Sequence, residues 1–269
     1  MRTFIFNTPM SAPAPPNAID SVAFYDSIRD VPMFRLNEFQ IHLCEDAGIG
    51  STLEDFDRRL ENMQVSLGAG DTANASTELY NTRLGLFLML DRVSTAARCL
   101  ADLVYSINGV PIADFSDDAL MEVHRQITER MSLAEVAELI DDLKKKFKRE
   151  LKVAFPSLFP DDEEMQFYAN IIRRALLQIE DTLNHETETP NPAISEIDKW
   201  LRAEMRPENF DFDSPENAVD SKRRDFEQVC TALAMAGIQN AETLTAYKFH
   251  SRIQYLNEHK NPTQKDGDN

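Results

Sequence analysis

The sequence predicts an all-α protein: a multi-helix bundle with a small C-terminal helical unit and at most one tiny β-hairpin. Over most of the chain, apolar residues recur three and four positions apart, which is the spacing of one face of an α-helix. Ser, Thr or Asp stands ahead of most of these stretches, where a side-chain oxygen can cap the first backbone amides. The 269 residues include only eight glycines, which leaves little material for the Gly-rich loops that hold cofactor phosphates.

Residues 1–20 are predicted to form an extended arm, because Pro9, Pro13, Pro15 and Pro16 cannot lie inside a helix. The apolar residues 4–6 ahead of these prolines are compatible with a short strand and also with a disordered lead-in. The sequence leaves both interpretations open.

The first two predicted helices have clear start and stop signals. One helix begins after Pro32 and ends at Gly48, since glycine readily takes the conformation that closes a helix. Ser51 and Glu54 then have the spacing of a capping box, in which each side chain binds the other residue's backbone amide. The helix that follows this box is predicted to end at Gly68.

The third predicted helix is the most apolar segment of the chain. Asp71 stands at its cap position, and the apolar pattern continues to about Ser106. Its segment 84–90, LGLFLML, places apolar side chains around much of the helix circumference. We therefore expect this helix to be central and nearly surrounded by others.

A hairpin and two further helices are predicted next. Asn108-Gly109 is a type I′ turn signal and predicts the one small hairpin. Ser116 is the predicted cap of the next helix, and Ser132 with Glu135 forms a capping box for a helix that runs through Lys152. Basic residues cluster at the end of that helix, where they stabilise the negative pole of its dipole, so they do not indicate a nucleic-acid site.

The C-terminal third contains the predicted domain boundary. Asp161 is the predicted cap of a long helix, and the polar, Pro-punctuated segment 185–192 follows it. Two helices joined by residues 207–220 come next, and a last helix begins at about Thr245. The resulting division is an arm over 1–20, an N-terminal helical domain over 21–186, a C-terminal helical unit over 193–260 and a disordered tail over 261–269.

The charge balance restricts the classes of partner. Asp and Glu outnumber Lys and Arg by 46 to 28, a formal net charge of −18. An excess of this size repels phosphate backbones and anionic lipid, so we expect neither nucleic-acid nor membrane partners.

Cys44, Cys99 and Cys230 are odd in number and far apart, which favours free thiols in a reducing compartment. No signal peptide or membrane span is predicted, so we expect a protein of the cytosol or of an assembly built there.

No residue is predicted to be catalytic, cofactor-binding or metal-ligating. Glu38 and His42 stand four apart on one helix, but no second pair accompanies them, which favours a polar contact at the surface over a metal site. Segment 211–217 has some spacing of a calcium loop but lacks its glycine and its bidentate glutamate. Cys99 has apolar neighbours and is not expected to be a nucleophile. The remaining histidines are expected to face solvent: His124, His185, His250 and His259.

Several segments carry a resemblance to known proteins. They are residues 31–51, 55–57 and 78–83, then Ile107-Asn-Gly109, the region from Leu151 to Phe159, Phe226-Glu-Gln-Val-Cys230 and Leu244-Thr-Ala-Tyr-Lys-Phe-His250 through Leu256. Over residues 31–258 the chain resembles a group of uncharacterised helical proteins of tailed phages and prophages of Bacteroidetes-type hosts. The segment 244–250 is similar to the ends of some tail assembly chaperones, acidic helical proteins that coat the tape-measure protein before the tail tube forms.

The resemblance implies a non-enzymatic phage assembly protein, a tail-assembly-chaperone-like binder of a long helical client, located in the host cytoplasm or the virion. The client would be a tape-measure or other virion protein, bound without a cofactor. The aromatic residues that we expect to contact it are Trp200, Tyr247, Phe249 and Tyr255. Two alternatives stay open: a virion structural component such as a neck, connector or packaged protein, and a small-molecule enzyme or binding protein.

Overall fold

A computed structural model describes residues 1–5, 21–159, 162–184, 191–204 and 206–259. Helices dominate these residues, which confirms the predicted all-α class. The first six helices are α1 (Met33–Gly48), α2 (Leu53–Gly68), α3 (Thr72–Leu90), α4 (Thr95–Asp102), α5 (Asp117–Thr128) and α6 (Leu133–Ala154). The later ones are α7 (Asp162–Asn184), α8 (Pro192–Glu204), α9 (Ala218–Met235) and α10 (Ala246–His259), with a 3₁₀ turn at Ala241–Thr243.

The strands form one small antiparallel sheet in the order β1-β2-β3-β4. They are β1 (Arg2–Ile5), β2 (Ser21–Phe24), β3 (Val104–Ile107) and β4 (Val110–Pro111). β3 and β4 are the hairpin predicted at Asn108-Gly109. β1 and β2 exceed the prediction, because β2 pairs with β3 some 80 residues later and such long-range pairing has no local signal. Of the predicted arm, residues 2–5 form a strand and residues 6–20 lie outside the described residues.

The chain divides into two compact units, and the predicted boundaries were wrong. The first unit is Met1–Phe155 with Glu208–Asn269, and the second is Pro156–Pro207. The last helix belongs with the first because their backbones are paired: Met33 N donates to Leu244 O at 2.7 Å and Ala246 N to Val31 O at 2.9 Å. The predicted linker therefore falls inside the second unit. Residues 185–190 lie outside the described residues, and so do residues 260–269 of the predicted tail.

The core of the first unit is built around α1 and α4. These two helices pack on each other, and α4 also contacts α5 and α6. Phe39 of α1 meets Phe147 of α6 edge-to-face, with ring centroids 6.1 Å apart. The largest fully buried side chains include Phe24, Phe39, Phe210, Leu36, Ile41, Leu100, Leu103, Ile127 and Leu143.

Most helix starts follow the predicted caps. Asp71, Ser116 and the Ser132–Glu135 box cap α3, α5 and α6. The box before α2 is one residue later than predicted: Thr52 and Asp55 form it, while the Ser51 hydroxyl lies 3.2 Å from Thr95 Oγ1. The Asp161 cap predicted for α7 lies outside the described residues.

The third helix is shorter and more peripheral than predicted. It ends at Leu90, the chain turns through Arg92 in the left-handed region (φ 59°), and Ser94 caps the separate helix α4. The expectation of one helix to about Ser106 was wrong because a local break and a new cap interrupt the apolar pattern. The helix is not central either, since α4 takes that position and one side of α3 is exposed.

The second unit is described by two helices, α7 and α8. An ion pair joins Arg174 of α7 to Asp198 of α8, and Asn191 N donates to Asp181 Oδ2 at 2.9 Å. Phe167 and Trp200 add an aromatic contact, with centroids 6.3 Å apart. Polar and aromatic contacts therefore both hold this helical pair together.

Candidate functional site

The outer side of α3 is an exposed apolar surface of the first unit. Leu79, Leu86, Phe87 and Leu90, which we call the α3 face, are 36–66 % exposed. They recur one and two turns apart and so lie on one side of the helix. A contiguous exposed apolar patch in a protein this acidic is a feature typical of protein-binding surfaces.

Packing on the adjoining side of α3 fixes which side faces outward. Ala75, Glu78, Thr82 and Gly85 are buried there. A Cβ on Gly85 would lie 3.0 Å from Gly50 O and 3.1 Å from Ile49 O, so α3 rests directly on the backbone between α1 and α2. This close approach holds the helix with its large apolar side chains turned away from the core.

A buried arginine ties α3 to its neighbours. Arg59 of α2 donates to Glu78 of α3 at 3.1 Å and to the backbone oxygens of Ile49 and Ala47 at 2.8 and 2.6 Å. Asn62 adds a hydrogen bond to Glu78 at 3.2 Å. The guanidinium thus satisfies the carbonyls at the end of α1 and neutralises a buried carboxylate. These contacts hold α2 and α3 against each other and against the end of α1.

The exposed charges of α2 are mainly acidic and lie on the side of that helix opposite Arg59, which contacts α3. Glu54, Asp57 and Glu61 are exposed on α2. One cation lies within the α3 face itself, since the Arg83 guanidinium is 5.5 Å from the centroid of the Phe87 ring. The face is thus an apolar surface with an arginine on it, in a chain whose net charge of −18 favours basic partners.

The four aromatic residues predicted to contact a partner do not form one site. Trp200 belongs to the second unit, whereas Tyr247, Phe249 and Tyr255 belong to α10 in the first. Phe249 is buried against Phe226 and His250 and is a core residue, so its predicted contact role was wrong. Tyr247 is half-buried beneath Arg29, whose guanidinium lies 4.3 Å from its ring centroid. Tyr255 is exposed and stacks on His259 at 4.1 Å.

A buried polar cluster joins α1 to α4, and the prediction that His42 makes a surface contact was wrong. His42 Nδ1 lies 2.5 Å from Asp102 Oδ2, and its Nε2 lies 3.2 Å from Arg98 Nη2. Arg98 has no acceptor atom, so Nε2 accepts and Nδ1 donates to Asp102. Arg98 also pairs with Glu45 at 3.3 Å, while Glu38 points elsewhere, to Arg223 at 2.8 Å.

The hydrogen bonds of this cluster stabilise the contact between α1 and α4. Burial raises the pKa of Asp102, and the hydrogen bond from His42 opposes that shift. The lone pair of His42 Nε2 is occupied by Arg98, so it is not presented to a substrate in this arrangement. The neighbouring Cys99 is buried, donates to Thr95 O at 3.3 Å, and has a pKa raised well above its usual value by burial, as an inert thiol does.

Two other histidines predicted to face solvent are partly or fully buried. His124 Nε2 accepts a hydrogen bond from Ser94 N at 3.2 Å, next to the cap of α4, and burial lowers its pKa. His250 packs against Phe155 and Phe249, with centroids 5.7 and 5.5 Å apart, and burial lowers its pKa to about 4. His259 is exposed as expected, and His185 lies outside the described residues.

A shallow groove beside α6 is a weaker candidate. Its volume is about 550 Å³, and its lining includes Asp26, Asp142, Lys146 and Arg149. Lys146 donates to Asp26 at 2.9 Å, so opposite charges in the lining neutralise each other.

Among the described residues, no group of three His, Cys, Asp or Glu side chains could hold a metal ion. The three cysteines are free thiols.

Comparison with family models, with curated proteins and with solved structures gives no match for this chain. Within the part of the chain that the structure describes, no helix is both long and apolar enough to cross a membrane.

Sequence reasoning missed the α3 face because it assigned the whole apolar pattern to burial. Small residues beside the large ones on the helix surface were the available signal. Ala75 and Gly85 mark the side on which another backbone approaches, and Arg83 marks the outer side.

Proposed function

We propose that this chain is a non-enzymatic protein-binding protein that receives an amphipathic helix of a client on the α3 face. The observation that carries the proposal is the exposure of Leu79, Leu86, Phe87 and Leu90 on a helix whose other side is firmly packed. The net charge of −18 favours a client helix with basic flanks.

We further propose that the client is a virion protein and that the chain acts as a tail-assembly-chaperone-like protein of a tailed phage. This part of the proposal rests on the sequence resemblance of residues 31–258. An exposed apolar face on a helical hairpin supports it physically, because a chaperone of a long helical protein must cover apolar helix sides before assembly buries them.

The test uses the full chain and a variant of the α3 face. Leu79→Glu with Leu90→Glu places two charges on the face and leaves the buried side of α3 unchanged. The tagged wild type is used to purify a client from the producing cells, and the binding of the purified client is then measured by titration calorimetry. We expect the variant to weaken this binding by at least about thirtyfold, the effect of losing hot-spot contacts.

Val153→Glu is the matched control, since Val153 is a 79 % exposed apolar residue on α6, away from α3 in sequence. The control should bind as the wild type does, and circular dichroism should give the same helicity for all three proteins. Equal binding by wild type and by the α3-face variant would contradict the proposal.

The same preparation separates the chaperone from the virion-component alternative. A chaperone is absent from purified particles, whereas a neck, connector or packaged protein is present there in fixed ratio to the other virion proteins. Mass spectrometry of purified particles measures that ratio directly.

A further inference from the structure

The second unit carries an apolar stripe that faces away from its own partner helix. Tyr168, Ile171, Ile172, Leu176, Ile179 and Leu183 of α7 are 40–75 % exposed. Ile172, Leu176, Ile179 and Leu183 are spaced four, three and four residues apart, the a/d pattern of a coiled-coil seam. We call these four residues the α7 stripe.

The opposite side of α7 is more polar than the stripe. The half-buried residues on that side are Phe167, Asn170, Arg174, Leu177 and Asp181. Arg174 pairs with Asp198 of α8, and Asp181 accepts a hydrogen bond from Asn191 N. The contact of α7 with α8 thus combines polar and apolar side chains, while the large aliphatic side chains of the stripe are left outside it.

Charges next to the stripe are self-complementary. Arg173 and Glu180 are both exposed and lie on the same flank of the stripe, two turns apart, at equivalent heptad positions. When two copies of α7 lie antiparallel, Leu176 of one copy packs near Ile179 of the other, and Arg173 of each copy approaches Glu180 of the other. A two-fold axis therefore creates the same opposite-charge pair twice.

The local charge also permits a second copy to approach. The chain has a net charge of −18, so two copies repel over most of their surface. Residues 166–183 of α7, by contrast, contain two arginines, Arg173 and Arg174, and two acidic residues, Glu180 and Asp181. This stretch, which includes the stripe, has no net charge, whereas Asp162, Glu163 and Glu164 make the start of the same helix acidic.

From the α7 stripe and its flanking charges we infer that the chain forms a homodimer in which the two copies of α7 pair antiparallel, stripe to stripe. The α7 stripe belongs to the second unit and the α3 face to the first, and the inference does not depend on the proposed function. Each dimer would present two α3 faces, one from each copy.

Sedimentation velocity of the full chain over a concentration series is the first measurement. We expect the wild type to sediment as a dimer and Leu176→Glu with Ile179→Glu to sediment as a monomer of unchanged helicity. Val153→Glu, the control with a charge at an exposed position of α6, should stay dimeric. A wild type that is monomeric at every concentration, or a dimer that survives the stripe variant, would overturn the inference.

Exchanging the charges of Arg173 and Glu180 tests the antiparallel arrangement. Both side chains are exposed, so the substitutions leave the core unchanged. Arg173→Glu opposes two like-charge pairs in the dimer and should raise its dissociation constant by at least about tenfold. Glu180→Arg should do the same. The double variant Arg173→Glu with Glu180→Arg restores both pairs and should return the dissociation constant to the wild-type value. A double variant as weak as the single ones would rule out the antiparallel pairing.

Discussion

The imidazole of His42 and the carboxylate of Asp102 form a buried hydrogen bond of 2.5 Å that joins the first helix to the fourth. Both side chains are nearly inaccessible, at 9 % and 2 % of their surface. Arg98 completes the contact by donating to the second ring nitrogen of His42. The central helix pair of the first unit is therefore held together by a polar contact as well as by apolar packing.

Replacing Asp102 by Leu should destabilise the protein strongly. The change leaves a buried imidazole N–H without its acceptor and the buried Arg35 without part of its counter-charge, and breaking such a buried pair costs about 3–5 kcal/mol. Urea denaturation followed by circular dichroism measures the change in the free energy of unfolding.

The double variant His42→Phe with Asp102→Leu is the informative companion. Replacing both partners by apolar residues removes the unsatisfied groups, so it should be more stable than Asp102→Leu alone. Additive losses in the double variant would mean that the two side chains are not coupled. Glu38→Ala serves as the reference nearer the surface, since its solvent-accessible ion pair with Arg223 contributes at most about 1 kcal/mol.

Arg59→Met should loosen the platform that carries the α3 face. The change removes donors from Ile49 O and Ala47 O and leaves Glu78 buried without its cation, a loss of about 3–5 kcal/mol. Arg58→Met is the control. It removes a solvent-accessible ion pair with Asp55 and should lower the free energy of unfolding by at most about 1 kcal/mol. Similar losses for the two variants, measured by urea denaturation, would refute the role assigned to Arg59.

Gly85→Ala should destabilise the protein by about 1–3 kcal/mol, because the new methyl group meets two backbone oxygens that cannot rotate away. Gly68→Ala is matched to it, since a Cβ at the end of α2 would meet nothing within 4 Å. That control should leave the stability unchanged or raise it by up to about 1 kcal/mol. Thermal denaturation of the two variants distinguishes a close helix contact from a general preference for glycine.

His250 should make the stability of the protein depend on pH below neutrality. Burial lowers its pKa to about 4 in the folded state, whereas an unfolded histidine titrates near 6.5. The unfolded state therefore binds the proton more readily. The contribution of His250 to stability is complete above about pH 6.5 and is lost as the pH falls toward 4. At pH 5 the loss should be on the order of 2 kcal/mol.

Carboxylates also titrate in this range, so the effect of His250 is measured as a difference between proteins. His250→Phe lacks the titrating ring and should lose less stability than the wild type between pH 7 and pH 5. His259→Gln, a change at an exposed histidine, should lose as much as the wild type does. Parallel pH profiles for wild type and His250→Phe would disprove the assignment.

The sequence by itself determined the helical class and most helix starts. Ser116 and Ser132 cap their helices as predicted, because a cap depends on residues only two or three positions apart. The hairpin at Asn108-Gly109 follows from the same kind of local signal. The box assigned to Ser51 was off by one residue, since Thr52 offers an equivalent hydroxyl and the contact of Ser51 with Thr95 comes from another part of the chain.

The tertiary structure decided which faces are buried. The apolar pattern of α3 gives no indication of whether one or several neighbours cover the helix, and only its packing through Gly85 and Arg59 leaves the α3 face outside. His42 has the sequence context of a surface residue, yet Asp102, sixty residues away, makes its burial favourable. Backbone pairing of Met33 with Leu244 likewise brings the last helix to the first. Caps and turns are short-range and can be predicted from neighbours in sequence, whereas burial depends on partners that only the folded chain brings together.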